Sequence, residues 1–355
     1  MLFSEKLIDW YSINLRDLPW RATQDPYKIW LSEIVLQQTR VAQGMPYYLQ
    51  FLERFPTVFD LAEAKEDEVL KLWQGLGYYS RARNLHATAQ YIAQEKNGIF
   101  PQTAKELKKL KGVGEYTAHA IASFCFREPV AVLDGNVFRV LSRVFGVNDE
   151  IDTPAGKRIF KDLAQELLDR EKPGLYNQAI MEFGALQCTP KIPDCTICPF
   201  SKNCVAYQNQ LIEDLPRKKK KVKVKEEHIN YLVLLDKNGN TFMKQRTQKG
   251  IWRNLFEFPR LESEFVNDVS EGLNETIRLK SLENHNVELT AFYPKPVKHL
   301  LSHRKLHIQF WIGKFSDYST FSSMAKKYHF VQNIHTFAVP VVIERFIGAS
   351  DFFNS

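Results

Sequence analysis

The 355-residue sequence contains no run of about 18 apolar residues, so no helix of membrane-spanning length is written into it. Its opening, MLFSEKLIDWY, is charged and aromatic and lacks an apolar signal core. No signal peptide is expected, and the cytoplasm is the expected compartment. Glycine and proline number only 16 each, too few for a fibrous chain. At 44% hydrophobic residues the chain is too apolar to be disordered. Its length suggests about two domains. Cysteine is scarce as well: Cys125 stands alone, and Cys188, Cys195, Cys198 and Cys204 fall within 17 residues. Such clustering, with no export signal, favours a metal site over a disulfide framework.

The net charge of +7 is not spread over the molecule. The segment Arg217–Lys225 (RKKKKVKVK) holds seven basic residues and no acid, and the remaining 41 basic residues equal the 41 acidic ones. The high pI therefore comes from one tether. Such a run is either a solvated linker or a non-specific hold on nucleic-acid phosphates.

Apolar residues recur at helical spacing in Ile29–Val41, Val69–Trp73, Ala118–Phe126, Val137–Val144 and Ile159–Leu168. Thr103 to Glu106 is a capping-box pattern, and Thr153-Pro154 puts proline at a first helical position. Beyond the tether the period changes. Ile229–Leu235, Thr241–Lys244, Val287–Phe292 and Leu306–Phe315 suit strands, and Asn238-Gly239 is a hairpin-turn signal. Val341–Ile347, after Pro340, suits a closing helix. The expected organisation is a mainly α domain over 1–215, a basic linker over 216–228 and an α+β domain over 229–355.

Three features carry chemistry. The first is Cys188-x6-Cys195-x2-Cys198-x5-Cys204. Four thiolates so close can surround one centre; an iron–sulfur cluster tolerates these uneven arms better than zinc, though spacing leaves both open. The second is Gly112-Val-Gly114 between two helical patterns. Glycines there let backbone N–H groups approach a phosphate, and the next helix N-terminus adds a favourable dipole. The third is a pair of acids. Asp134, in Val132-Leu-Asp134-Gly-Asn136, has the place of an ordinary N-cap. Glu33, in Trp30-Leu-Ser-Glu33, sits among apolar residues, where a lone acid ordinarily marks a solvated stripe.

The cysteine spacing resembles the iron–sulfur loop of the endonuclease III superfamily of DNA glycosylases, and Gly112–Ala118 resembles its helix-hairpin-helix. That resemblance implies a 4Fe–4S cluster on Cys188, Cys195, Cys198 and Cys204 within a 188–204 loop. It also implies phosphate contacts at Gly112 and Gly114, and DNA contacts from Lys191 and Lys202. Bifunctional members carry a nucleophilic lysine two residues after the second glycine; here Tyr116 stands there, so Schiff-base strand cleavage is not expected. Leu18-Pro-Trp-Arg21, Trp30-Leu-Ser-Glu33 with Gln37-Gln38-Thr39, Gln74-Gly-Leu-Gly-Tyr-Tyr-Ser-Arg81 and Val132-Leu-Asp134-Gly-Asn136 are similar to the adenine DNA glycosylase (MutY-type) family of that superfamily.

Membership would imply excision of adenine mispaired with 8-oxoguanine or guanine in double-stranded DNA. Glu33 would be the protonated acid that assists the leaving base, and Asp134 the ionised acid that stabilises an oxocarbenium-like sugar. Tyr116 and Asn136 would orient them. Arg21, Gln38, Thr39, Leu76 and Tyr78 would contact DNA, the last four on the strand opposite the flipped base. The stretch Lys244–Pro259 resembles the opening of a Nudix-like fold, without the closely packed glutamates of a metal-dependent pyrophosphatase. In this family that domain reads 8-oxoguanine through a Phe-Ser-His motif; here Leu301, Ser302 and His303 occupy it, with leucine for the aromatic ring. A monomer is expected, and Cys125 is expected in the core. The rival readings are an endonuclease III-like pyrimidine-lesion glycosylase and lyase, and a mismatch-binding protein without catalysis.

Overall fold

The computed structural model of the chain describes residues 2–219, 225–261, 276–282, 285–301, 304–314 and 328–353. The chain forms two compact units: residues 1–64 with 84–221, and residues 65–83 with 222–355. Among the described residues, no helix is long and apolar enough to cross a membrane.

The helical stretch runs through α1 (Phe3–Asn14), α2 (Pro26–Leu36), α3 (Val41–Arg54), α4 (Val58–Glu63), α5 (Glu66–Leu72), α6 (Ser80–Glu95), α7 (Ala104–Leu107), α8 (Glu115–Phe126), α9 (Gly135–Phe145), α10 (Pro154–Glu166), α11 (Pro173–Leu186) and α12 (Val205–Gln208). Local signals set the ends. Asp25 caps α2 by accepting the Tyr27 amide, with Pro26 in the first turn. Thr153 caps α10 ahead of Pro154, and Thr103 accepts the Glu106 amide at α7. The segment expected to run helical from Ile29 to Val41 is broken: α2 ends at Leu36, Gln38 takes a left-handed φ of 57°, and α3 starts at Val41. The core gathers Leu7 and Tyr11 of α1, Val137, Val140 and Leu141 of α9, Phe160 of α10, and Tyr176, Ile180 and Phe183 of α11.

The other unit is built on strands β1 (Lys225–Leu235), β2 (Thr241–Gln245), β3 (Phe256–Glu257), β4 (Thr276–Leu282), β5 (His285–Ala291), β6 (Val297–Leu300), β7 (Arg304–Lys314) and β8 (His329–Val331), with helix α13 (Val341–Ala349). Among the described residues, five strands form one sheet in the order β1-β7-β5-β4, with β6 also on β7; β3, β2 and β8 form a second. The β1–β7 pair is parallel, with Tyr231 opposite Phe310. Ile308 and Phe310 point into the core, and Phe346 of α13 stacks on Phe310 with ring centroids 4.1 Å apart. Strand β1 begins at Lys225, four residues before the expected start. The Asn238-Gly239 turn forms, with Gly239 at φ +79° and the Asp236 amide donating to the Asn240 carbonyl at 3.0 Å. It does not open into a paired hairpin: β1 joins β7, whereas β2 joins β3 and β8. A turn signal fixes the reversal, but tertiary packing chooses each strand's partner.

Candidate active site

One cleft in the helical unit, of about 540 Å³, is lined by Glu33, Tyr116, Asp134 and Asn136 together with Arg21, Thr39, Met181 and Glu182. That size is ordinary for a small-molecule site. A hollow of about 640 Å³ bounded by Tyr91, Ile99, Phe100 and Leu110 carries one acid, Glu106, so size alone does not pick out the chemistry.

Helix α2 is buried almost all round, with Ile29, Trp30, Leu31, Ile34 and Val35 in the core. Glu33 shares that burial at 7% exposure, which excludes the solvated-stripe reading. Desolvation pushes its carboxyl up to about 7. A hydrogen bond with Tyr116 opposes the rise, and the Asp134 charge adds to it. Tyr116, on the first turn of α8, is raised well above the usual phenol range, by burial first and then by Glu33. Its hydroxyl oxygen also lies 3.9 Å from Met181 Sδ.

Asp134 is a helix cap and a cleft residue at once. Its Oδ1 accepts the amides of Asn136 (2.8 Å) and Val137 (2.7 Å), and its Oδ2 accepts Asn136 Nδ2 (2.8 Å). Burial raises its carboxyl; the three N–H donors and Arg139 pull the other way. Arg139 in turn donates to Asn136 Oδ1 (2.9 Å), the Gly184 carbonyl (2.6 Å) and the Cys188 carbonyl (2.7 Å). One turn on, the buried Arg143 donates to the carbonyls of Leu215, Thr189 and Pro190 and lies 3.7 Å from Cys188 Sγ. Helix α9 therefore ties the Asp134 end of the cleft to the cysteine loop.

Cys188, Cys195, Cys198 and Cys204 are free thiols lining one small cavity with Val144 and Phe183. Among the described residues, no three His, Cys, Asp or Glu side chains are drawn together as for a single ion. Lys191 and Lys202 are exposed on this loop. Cys125 is half-buried, and burial pushes its thiol up to about 12, as for an inert core cysteine.

At the hairpin, Gly112 has φ +81°, and a Cβ there would lie 2.7 Å from Asn84 Cβ. The Cβ position of Gly114, the N-cap of α8, faces open space. Gln38 is exposed at its left-handed turn. Tyr78 also has a left-handed φ, 49°, and is 48% exposed, whereas Leu76 is buried, the position of an ordinary core residue. Leu301 is half-buried, with its amide on the Arg304 carbonyl. Ser302 and His303 lie outside the described residues.

Arg21 lines the cleft but is engaged. Both its terminal nitrogens donate to Glu182, at 2.8 and 2.6 Å, and Arg16 grips the same carboxylate. Burial would raise Glu182, but hydrogen bonds from Arg16 and Arg21 overcome it and hold the carboxyl at about 2. Sequence reasoning missed Glu182, Arg139 and Arg143. The available signal for Glu182 was the one that marked Glu33: an acid inside an apolar helix.

The fold and this cleft define a base-excision DNA repair glycosylase of the helix-hairpin-helix class. Residues 31–167 match the family model of HhH-GPD superfamily base excision DNA repair proteins, and residues 230–349 match that of the NUDIX domain. The helical fold is that of a thermostable thymine-DNA glycosylase (TM-score 0.54, 29% identity, 58% of this chain and 95% of that one). It is also the fold of endonuclease III in a non-covalent DNA complex (TM-score 0.50, 22% identity, 59% and 99%). Among whole-chain relatives, an adenine DNA glycosylase of Buchnera aphidicola (subsp. Schizaphis graminum) is 33% identical over 349 residues, 98% of each chain. That of Arabidopsis thaliana is 36% identical over 326 residues, 80% of this chain and 51% of the relative. The human enzyme is 43% identical over 222 residues, 60% of this chain and 41% of its own. The chain belongs to the adenine DNA glycosylase family: it is a base-excision repair enzyme that acts on N-glycosyl bonds of adenine in DNA.

Proposed function

We propose that the enzyme excises adenine paired with 8-oxoguanine or guanine, acting as a monomer and by hydrolysis alone, with no lyase step. The observation that carries this reading is the pair of unlike carboxylates on one cleft. Glu33, whose burial raises its carboxyl to about 7 so that a large share of it keeps its proton near neutral pH, donates to a ring nitrogen of adenine as the N-glycosidic bond breaks, making the base a better leaving group. Asp134 faces the sugar and stabilises its positive charge, electrostatically or through a transient covalent bond that water then opens. Tyr116 and Asn136 hold the two acids in place. Tyr116 has no amine with which to form a Schiff base, which supports a monofunctional enzyme.

Cys188, Cys195, Cys198 and Cys204 would hold a 4Fe–4S cluster. A single tetrahedral ion needs sulfurs converging at about 2.3 Å from one point; thiols spread around a cavity suit a polynuclear group better. When bound, the cluster supplies a cross-link that orders the 188–204 loop rather than hydrolytic chemistry. The exposed Lys191 and Lys202 then face DNA phosphates. On the opposite strand, Gln38, Thr39 and Tyr78 contact the lesion, with Leu76 packed behind, and Leu301, Ser302 and His303 read its edge.

Single-turnover release of adenine should be measured from duplexes pairing A with 8-oxoguanine, G or T, with strands analysed before and after alkali. The expected result is release fastest opposite 8-oxoguanine, with strand breakage only after alkali. Strand breakage without alkali, with a borohydride-trapped adduct, would overturn hydrolysis in favour of an endonuclease III-like lyase. Tight mismatch binding without base release would overturn catalysis itself.

A further inference from the structure

The segment Lys65–Arg83 interrupts the helical unit and belongs, by its packing, with the C-terminal fold. It carries the Gly75–Tyr78 turn, which has three left-handed residues: Gly75 (φ 94°), Gly77 (φ 72°) and Tyr78 (φ 49°). A left-handed tyrosine persists only where its surroundings hold it. From inside, Trp73 Nε1 donates to the Gly77 carbonyl at 3.0 Å, and the Arg81 guanidinium lies over the Trp73 and Tyr78 rings. From outside, the turn is clasped by the stretch leading into α13. Lys71 Nζ donates to the Phe337 carbonyl (3.1 Å), and the Tyr79 hydroxyl donates to the Val339 carbonyl (3.1 Å). The Val339 amide donates to Gln74 Oε1 (3.3 Å), and Gln74 Nε2 donates to Glu344 Oε1 (2.9 Å). Further along, Arg83 donates to the Arg253 carbonyl (2.7 Å), and Asn254 donates to Glu66.

We propose that the Phe337–Glu344 stretch is a positioning element for the Gly75–Tyr78 turn. The C-terminal fold thereby acts on the strand opposite the target base through that turn, as well as through its own loop. Gln74 is the centre of the clasp: its amide accepts from one side of the stretch and donates to the other, so a shift of α13 is passed to the turn one residue away. The inference rests on the assignment of Tyr78 to the lesion strand. It makes Gln74 and Glu344 positioning residues rather than catalytic ones.

The test uses the full-length protein with Gln74→Ala, Glu344→Ala and the conservative Glu344→Gln, which keeps an acceptor oxygen for Gln74. Gln74→Glu keeps the acceptor for the Val339 amide but sets its carboxylate against Glu344, so it breaks that one link of the clasp without leaving a hole. Two readouts are needed: hydrogen exchange of the amides of residues 73–79, and single-turnover adenine release opposite 8-oxoguanine and opposite guanine. The expected result is faster exchange confined to the turn. The 8-oxoguanine-to-guanine rate ratio should fall roughly two- to tenfold, the range one hydrogen bond is worth. Glu344→Gln should restore both, and the two alanine variants together should do no more than either alone. Unchanged exchange at 73–79 in both Gln74→Glu and Glu344→Ala would overturn the clasp. Faster exchange with an unchanged ratio would overturn its role in lesion reading. Wild-type protein that releases no adenine would instead overturn the proposed substrate, while the exchange result would still decide the clasp.

Discussion

Glu33 and Asp134 share a cleft, but the backbone treats them differently. Glu33 lies inside α2, where the helix uses its own amides, and burial is opposed by a hydrogen bond with Tyr116. Asp134 lies at the start of α9, where amides without helical partners turn toward it, and three N–H donors offset its burial. Both carboxyls are raised. The hydrogen bonds that oppose the rise differ, since donors to a carboxylate favour its charged form: Tyr116 alone does so for Glu33 in mid-helix, and three N–H donors do so for Asp134 at a cap.

The largest expected effect is at Glu33. Glu33→Gln keeps the volume and removes the transferable proton, so single-turnover adenine release should fall by about 10²–10⁴-fold. A variant retaining a tenth of wild-type activity would move the acid role elsewhere. Next comes Asp134→Asn, with an expected loss of about 10²–10³-fold, the scale of removing one electrostatic stabiliser. Asparagine caps helices as well as aspartate does, so thermal stability should hold. Asp134→Ala loses the cap too and should be less stable by about 1 kcal/mol. If Asp134→Asn melts as early as Asp134→Ala, charge rather than capping holds that end of α9.

The third effect is on stability. The Glu33 carboxyl rises from an ordinary 4.5 to about 7 on folding, so in that window the native state binds more protons than the unfolded one. Stability attributable to this group therefore falls as pH climbs from 4.5 to 7, by roughly 3 kcal/mol at about 1.4 kcal/mol per unit. Glu33→Gln carries no such penalty. In urea titrations it should be the more stable protein at pH 8, with the gap closing toward about pH 4. Parallel curves for the two proteins across that range would mean that Glu33 ionises as freely as an exposed acid.

What could be read in advance divides along the same physical line. Helix periods, the Thr153-Pro154 start and four of the eight described strands were legible because local chemistry sets them. So was the type of each acid, whereas its expected state came from the family resemblance and not from local chemistry. Whether Glu33 faces solvent or a cleft depends on what α8 and α9 bring to it, and periodicity holds no record of that. Nothing local in the sequence marks Arg139 and Arg143, four residues apart, as buried. They are buried because carbonyls of the Gly184–Pro190 stretch and Leu215 meet them, contacts 45 residues or more distant in sequence. Arg21, expected at the DNA, is also held by Glu182, 161 residues on, a partner that no local pattern shows. The Asn238-Gly239 turn was legible and the pairing of its strands was not, since register and partner are fixed by the sheet they join.

The smallest effect tests how sharply the two acids are separated. Tyr116 opposes the rise in Glu33 by hydrogen-bonding its charged form. Tyr116→Phe removes the hydroxyl and little volume, so the Glu33 carboxyl should rise further and hold its proton to higher pH. The alkaline limb of the single-turnover rate, set by loss of the Glu33 proton, should move upward, and the acid side of the profile should stay in place. Adenine release near pH 7 should change little if Tyr116 only tunes the acid. A large fall at every pH, with the limb unmoved, would mean that the hydroxyl touches the sugar or the attacking water, and that Tyr116 works beside Asp134 rather than on Glu33.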